Sequence, residues 1–251
     1  MSLSNISLIG LGSMGFGMAT SLLAAGHAVQ GFDINPDSVA RLVAQGGLSA
    51  PQADAAARCD ILVIVVLNAE QTQSVLFGPA GWAAQMKKGA TVVSCATVAP
   101  DFAKEMAQRC AELGLNYLDA PISGGAAKAA QGKLSIMAAG PIAAFDGAAP
   151  ALDAMAETVF RLGDVAGAGS AMKAVNQMLA GVHIAAMAEA VTFGMTQGIA
   201  PATFLDVIRQ CAGTSWMLEN RAPHIVDGDY TPKSSVNIWP KDLGIVLDIA
   251  K

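Results

Sequence analysis

Charged residues are scarce in this chain: they make up 14% of its 251 residues, whereas hydrophobic residues make up 53%. This balance excludes an intrinsically disordered chain, because disorder requires low hydrophobicity and high charge. A general nucleic-acid binder is disfavoured as well, since 15 Lys and Arg against 20 Asp and Glu give a net charge of −5. We therefore expect a globular protein with a large core and no nucleic-acid partner.

Long uninterrupted hydrophobic runs are also missing. The mean hydropathy is +0.45, but no stretch reaches the roughly 18 apolar residues that a membrane-spanning helix needs. The most apolar stretch, residues 178–195, contains His183, Glu189 and Thr192. It is typical of a helix buried between domains or subunits, so we expect a soluble protein with no membrane partner. One helix this apolar needs cover on all sides, which predicts a homodimer or homotetramer.

Cysteine is rare, and its spacing is uninformative for metal or disulfide chemistry. The four cysteines, Cys59, Cys95, Cys110 and Cys211, lie far apart and form no CxxC pair. The first residues lack the charged and apolar regions of a signal peptide. Reduced thiols in a cytoplasmic protein without a bound metal are the simplest interpretation.

The chain changes character near residue 163. Before it, short β-rich runs alternate with alanine-rich helical stretches, which predicts an α/β fold with a Rossmann-type doubly wound parallel sheet and extra strands. After it, only helical patterns occur, beginning with one long helix at about 170–197. We expect two domains, 1–163 and an all-helical 164–251, joined by this helix. The last ten residues are in mid-helical pattern, so the second domain is expected to be truncated at its C-terminus.

A glycine-rich loop lies between the first strand and the first helix. Its sequence, Gly10-Leu-Gly-Ser-Met-Gly15, provides a tight turn, close backbone approach to a pyrophosphate and close helix–strand packing. The second strand ends at Asp33, 18 residues after Gly15, where a carboxylate binds the ribose hydroxyls. FAD and S-adenosylmethionine can use similar loops. The predicted dinucleotide site comprises Gly10, Leu11, Gly12, Ser13, Met14, Gly15, Asp33, Ile34 and Asn35.

Asp33 also discriminates between nicotinamide cofactors. A carboxylate at this position would repel a 2′-phosphate, and the next residues, Ile34 and Asn35, supply no arginine to bind one. The sequence therefore favours NAD over NADP.

Two further segments carry candidate chemistry. Ser123, Gly124 and Gly125 follow a predicted strand at its C-terminal end, where their hydroxyl and N–H groups could hold a carboxylate; a flexible turn is the alternative. Lys173 and Asn176 lie three residues apart on one face of the long helix. The neighbours of Lys173 are apolar, and partial desolvation would suit it for general acid/base work, although an ordinary solvated lysine fits the pattern too.

Four segments in this order resemble the β-hydroxyacid dehydrogenase family, which includes 3-hydroxyisobutyrate, tartronate semialdehyde and 6-phosphogluconate enzymes. They are Gly10–Gly15, Asp119-Ala-Pro-Ile-Ser-Gly-Gly125, Gly167-Ala-Gly-Ser-Ala-Met-Lys-Ala-Val-Asn176 and Lys241-Asp-Leu-Gly244. The stretches at 213–221 and 227–232 resemble the L-threonate dehydrogenase branch of that family.

The resemblance implies roles for individual residues. Lys173 would be the general acid/base, and Asn176 would orient the substrate hydroxyl or carboxylate. Ser123, Gly124 and Gly125 would hold the substrate carboxylate. Contacts with the cofactor are implied for Leu67, Asn68, Thr97 and Lys241, and Lys241 would also contact the substrate. Gln177 stands where several relatives have a second asparagine.

The implied activity is NAD-dependent oxidation of a small hydroxy acid, L-threonate or a related polyhydroxy or 3-hydroxy acid. One alternative is reduction of a small semialdehyde, such as tartronate or succinate semialdehyde. The other is a non-catalytic dinucleotide-binding module, against which the retention of Lys173, Asn176 and Lys241 counts. Imine reductases are disfavoured because they place other residues at the position of Lys173.

Overall fold

The computed structural model describes residues 3–231 and 235–251. Pro232, the last residue of one stretch that resembles the L-threonate dehydrogenase branch, lies outside the described residues. Contacts within the chain divide it into two compact units, Met1–Lys173 and Ala174–Lys251, with the division inside one long helix. The domain boundary after residue 163 stays a prediction.

The first unit is built on a five-stranded parallel sheet in the order β2-β1-β3-β4-β5. The strands are β1 (Asn5–Ile9), β2 (Ala28–Phe32), β3 (Ile61–Ile64), β4 (Thr91–Ser94) and β5 (Asn116–Asp119), and the helices between them are α1 (Gly15–Ala24), α2 (Pro36–Val43), α3 (Gln52–Arg58), α4 (Ala69–Phe77) and α5 (Pro100–Glu112). All of β3 and β4 is buried. Helices therefore cover both faces of the sheet, as is typical of parallel strands whose residues are all buried.

A smaller three-stranded sheet completes the first unit in the order β6-β7-β8. It contains β6 (Ile122–Ser123), α6 (Gly125–Ala130), β7 (Leu134–Ala138), α7 (Ile142–Met155) and β8 (Ala156–Arg161). The backbone of Asp119 at the end of β5 exchanges hydrogen bonds of 3.0 and 2.8 Å with Ala139, which joins the two sheets. The β6 strand was not predicted, because two residues carry no detectable periodicity.

Hydrophobic cores on the two faces of the large sheet fix the helices that surround it. One core packs Met18 and Leu22 of α1 with Phe145 of α7, and the other packs Trp82 with Met106 of α5. This two-sided packing is the doubly wound arrangement that the alternating pattern predicts. It confirms the predicted α/β class and its extra strands.

The second unit is helical throughout the part that the structure describes. It comprises most of α8 (Ala168–Thr196), followed by α9 (Pro201–Ile208), α10 (Trp216–Asp227) and α11 (Ile238–Ile249). Pro201 opens α9 at a position where its missing N–H costs nothing. The hydroxyl of Ser215 accepts a 3.1 Å hydrogen bond from the Leu218 N–H and caps α10. Met187 and Val191 of α8 pack with Phe204 and Leu218 in a small core.

Helix α8 has the length and the mean hydropathy of a membrane-spanning helix, although His183 and Glu189 interrupt its apolar run. Of the 18 consecutive residues of α8 with the highest hydropathy, only 17% are buried inside the chain. Large apolar side chains are about half exposed along one face, at the spacing of a helical stripe, namely Met172, Val175, Leu179 and Val182. A single copy of the chain thus leaves this stripe uncovered.

Candidate functional site

The glycine-rich loop joins the carboxyl end of β1 to the first turn of α1. A methyl group on Gly15 would lie 1.8 Å from the carbonyl oxygen of Gly10, so only glycine allows the loop to close. A methyl group on Gly12 would instead meet nothing within 4 Å. Gly12 therefore leaves a free space beside the backbone N–H groups of a helix N-terminus, which is where a pyrophosphate fits.

Asp33 connects the glycine-rich loop to the end of β2. Its Oδ2 accepts a 2.6 Å hydrogen bond from the Leu11 N–H, and its Oδ1 accepts one of 2.8 Å from the Asn35 N–H. Each carboxylate oxygen can accept a second hydrogen bond, so the carboxylate can still bind two ribose hydroxyls. Ile34 is fully exposed between these residues. The Asn35 side chain accepts from the Asp37 N–H and so caps α2.

The other residues assigned to the cofactor follow the carboxyl ends of β3 and β4. Leu67 is half exposed, and its N–H donates to the side-chain oxygen of Gln71 over 2.8 Å. Asn68 accepts from the Gln71 N–H over 2.9 Å and caps α4. Thr97 lies three residues after β4. Because parallel strands end at one edge of the sheet, the structure brings these residues to the same edge as the glycine-rich loop and Asp33.

A cleft of about 640 Å³ extends from the glycine-rich loop along α1, α2 and α6. Leu11, Gly12 and Ser13 line one end of it. Arg41 lies on its wall with its guanidinium stacked over the Phe16 ring, 3.8 Å from the ring centroid. Arg41 was not predicted, because it lies eight residues after Asp33, beyond the adjacent Ile34 and Asn35 from which the cofactor preference was inferred.

Lys173 and Ser123 lie close together in the first unit. The Lys173 ammonium donates a 2.9 Å hydrogen bond to the carbonyl of Ile122, the residue that precedes Ser123 in β6. Only 7% of Lys173 is exposed. Gly124 and Gly125 follow at the start of α6. A restrained, nearly buried amine beside a hydroxyl and two glycines is a suitable group for moving a proton to or from a bound substrate.

Asp119, which had no predicted role, is a buried carboxylate that accepts three hydrogen bonds from residues shortly before Lys173. It is 1% exposed and stands at the end of β5. Its Oδ2 accepts from the N–H groups of Gly167 and Ser170 over 2.8 and 2.9 Å, and its Oδ1 accepts from the Ser170 hydroxyl over 2.7 Å. Burial raises the pKa of Asp119, and the hydrogen bonds from Ser170 and Gly167 oppose that rise.

In the second unit, Asn176 and Lys241 belong to one hydrogen-bonded chain. The Asn176 amide donates to the Gln177 side-chain oxygen over 2.9 Å, and the Gln177 amide donates to Asp242 Oδ2 over 2.5 Å. The Lys241 ammonium lies 2.6 Å from Asp242 Oδ1. Asp242 is 2% exposed. Sequence analysis missed it, because a buried acid inside an amphipathic helix has no signature of its own.

Cys95 and the grouping of possible metal ligands bear on the chemistry that these side chains can supply. Within residues 3–231 and 235–251, no three His, Cys, Asp or Glu side chains are grouped so as to hold a metal ion. Cys95, two residues before Thr97, is buried, and this burial, together with the charge of Asp119, raises the pKa of its thiol to about 12. A thiol of this kind is not a nucleophile near neutral pH.

Comparisons with known proteins match nearly the whole chain. Residues 5–163 match the family described as the NAD binding domain of 6-phosphogluconate dehydrogenase, and residues 167–251 match the family described as NAD-binding of NADP-dependent 3-hydroxyisobutyrate dehydrogenase. L-threonate dehydrogenase from Cupriavidus necator is 52% identical over 248 residues, which are 98% of this chain and 84% of that protein.

Solved structures agree with these sequence matches. The crystal structure of 3-hydroxyisobutyrate dehydrogenase from Salmonella typhimurium has a TM-score of 0.91 and 48% identity, and the match covers 98% of this chain and 86% of that chain. A complex described as Psf3 with NADP⁺ and 2-OPP has a TM-score of 0.90 and 26% identity, over 97% and 86% of the two chains.

These matches confirm three expectations from the sequence: the family, a nicotinamide cofactor, and an oxidoreductase activity. The two family models match the two halves of the chain, and the Salmonella typhimurium structure has the fold described above. The chain belongs to the β-hydroxyacid dehydrogenase family and is an NAD(P)-binding oxidoreductase.

Proposed function

We propose that this chain oxidises L-threonate, or a closely related polyhydroxy or 3-hydroxy acid, with NAD as the hydride acceptor. The observation that carries the proposal is the Lys173 ammonium, held 2.9 Å from the Ile122 carbonyl directly beside Ser123. The substrate class is supported by the 52% identity to L-threonate dehydrogenase from Cupriavidus necator.

The proposed chemistry divides the work between the cofactor and the side chains. Bound NAD would accept the hydride from the carbinol carbon of the substrate. The neutral amine of Lys173 accepts the hydroxyl proton as the carbonyl forms. Ser123, Gly124 and Gly125 hold the substrate carboxylate through the serine hydroxyl and the backbone N–H groups, and Asn176 is assigned to orient the substrate hydroxyl or carboxylate. Leu67, Asn68 and Thr97 are assigned to the cofactor, and Lys241 to cofactor and substrate.

A substrate panel tests this assignment. NADH formation is measured with L-threonate, D-threonate, glycerate and 3-hydroxyisobutyrate, and NADH consumption with tartronate and succinate semialdehydes. We expect the highest kcat/KM with L-threonate, by about tenfold or more, because the chain is 52% identical to an L-threonate dehydrogenase and enzymes that bind substrate hydroxyls reject analogues that lack or misplace them. A semialdehyde with the highest kcat/KM would contradict the proposed direction.

NAD is the proposed cofactor because of the Asp33 carboxylate. A 2′-phosphate beside this carboxylate creates a like-charge contact, so we expect NADP to bind about 10²-fold more weakly than NAD. Calorimetric titration of both dinucleotides measures the ratio. Arg41→Ala is the informative variant: the guanidinium stacked on Phe16 keeps its N–H donors free at the wall of the cleft, so a fall in NADP affinity would identify Arg41 as a contact of the 2′-phosphate. Equal affinity of the wild type for the two cofactors would contradict the preference.

We propose a soluble, cytoplasmic homodimer or homotetramer in which α8 is covered by a second subunit. The support is the stripe of Met172, Val175, Leu179 and Val182, which one copy leaves about half exposed. Light scattering after size exclusion is expected to show a dimer or tetramer, and Leu179→Glu is expected to shift it toward monomer. Val207→Glu on α9, also about half exposed, is the matched control. A wild-type monomer at working concentration would contradict the proposal.

A further inference from the structure

The first turn of α8 is attached to β5 by one carboxylate. Helix N-termini leave backbone N–H groups without partners, and a nearby side chain usually satisfies them from within the same segment. Here the side chain comes from residue 119, about fifty positions earlier in the chain. Asp119 accepts from the N–H groups of Gly167 and Ser170 and from the Ser170 hydroxyl, over 2.7 to 2.9 Å.

The backbone at the start of α8 also lies very close to the end of β5. A methyl group on Gly169 would lie 2.4 Å from the Met137 carbonyl oxygen and 2.7 Å from the Asp119 carbonyl oxygen. Glycine at this position therefore lets the start of α8 reach the end of β5. The Asp119 backbone is itself fixed by two hydrogen bonds to Ala139. The start of α8 thus packs against the Asp119 backbone, which hydrogen bonds between the two sheets fix in place.

Lys173 lies one turn beyond Ser170 on the same side of α8, because residues three apart are neighbours on a helix. Its ammonium donates to the Ile122 carbonyl, three residues after Asp119. One short segment, residues 119–123, therefore holds α8 at two points: Asp119 at the helix start and Ile122 at the Lys173 ammonium. Ser123, the proposed carboxylate holder, belongs to the same strand as Ile122.

We propose that Asp119 is a positioning residue of the dehydrogenase reaction: its carboxylate fixes the first turn of α8 and thereby sets the Lys173 amine at its distance from Ser123. The proposal rests on the proposed function for its kinetic consequence. Asp119 does not touch the substrate; it acts through Lys173. A displacement of a general base by about 1 Å is enough to cost about 10²-fold in rate.

A double-mutant cycle on Asp119 and Lys173 tests the proposal. The rate of hydride transfer is measured in single turnover for the wild type, Asp119→Ala, Lys173→Ala and the double variant. If Asp119 acts through Lys173, Asp119→Ala slows the reaction by about tenfold or more in the wild-type background but by less than about twofold when Lys173 is absent. An equal factor in both backgrounds overturns the proposal.

Conservative and matched variants separate positioning from folding. Asp119→Asn is expected to recover most of the activity, because its amide oxygen accepts from both N–H groups while its NH₂ donates to the Ser170 hydroxyl. Ser170→Ala removes only one of the donors to Asp119, so we expect it to keep the wild-type fold. If Asp119→Ala does not fold, Ser170→Ala takes its place in the double-mutant cycle. Asp54→Ala, in the exposed first turn of α3, is the matched control and is expected to change nothing.

A second readout is independent of the substrate. Trinitrobenzenesulfonate labels lysine amines, and mass spectrometry gives the labelling rate of Lys173 relative to exposed Lys88 in the same sample. In an Asp119→Ala variant that remains folded, we expect the labelling rate of Lys173 relative to Lys88 to rise about fivefold or more, because the buried amine loses its fixed position. An unchanged labelling ratio overturns the positioning role of Asp119, whether or not the wild type oxidises any of the tested acids. A wild type that oxidises none of these acids would contradict only the proposed function.

Discussion

Replacing Lys173 by alanine is expected to lower kcat by about 10²-fold or more while leaving the affinity for NAD unchanged. The reason is that Lys173 is the group assigned to take the proton from the substrate hydroxyl, and its amine is held beside Ser123 by the Ile122 carbonyl. Without it, the proton must leave to water. Steady-state kinetics with L-threonate gives kcat, and calorimetric titration gives the dissociation constant of NAD.

Lys88→Ala provides the matched control for this experiment. Lys88 is an exposed lysine three residues before β4, at the opposite end of that strand from Thr97. We expect its removal to change neither kcat nor NAD binding. A Lys173→Ala variant with wild-type kcat would remove the acid/base assignment. A variant that has lost NAD binding as well would show that Lys173 supports the cofactor instead.

Replacing two glycines of the same loop by alanine is expected to have different effects: Gly15→Ala lowers the stability of the protein, whereas Gly12→Ala weakens NAD binding. In Gly15→Ala the new methyl group would lie 1.8 Å from the Gly10 carbonyl oxygen, so the backbone must shift. Overpacking of this kind costs about 1–3 kcal/mol of unfolding free energy, which lowers Tm by several degrees in a domain of this size. In Gly12→Ala the methyl group enters free space, so the wild-type Tm is expected.

The same pair separates packing from cofactor binding. Gly12→Ala is expected to weaken NAD binding by about tenfold or more despite its normal Tm, because its methyl group occupies the side from which the pyrophosphate approaches. Thermal denaturation and NAD titration of both variants check this. If Gly12→Ala bound NAD as the wild type does, the pyrophosphate would not lie against this loop.

The first unit could be predicted well from the sequence, because its signals are local. The apolar runs of β3 and β4 and the proline that opens α2 each mark their own element. The glycine-rich loop is similarly explicit. Its motif lies between a strand and a helix, and the structure places it there.

Long-range side-chain bonds could not be predicted. Asp119 sits in a segment that sequence analysis singled out, yet its partners at residues 167 and 170 lie about fifty residues away. Asp242 bonds to Gln177 across 65 residues of chain. Nothing in the local pattern distinguishes a buried acid of this type from a solvated one. The cation Arg41 was missed for the same reason, since it reaches the loop from the second turn of α2.

The central claim is that this chain transfers hydride from L-threonate to NAD. The most direct test is the absorbance of NADH formed by the purified wild-type protein with L-threonate and NAD, with mass spectrometry of the product. The account predicts NADH and an oxo acid in equal amounts, at a rate that NADP does not reproduce. NAD binding without any NADH from L-threonate would contradict it.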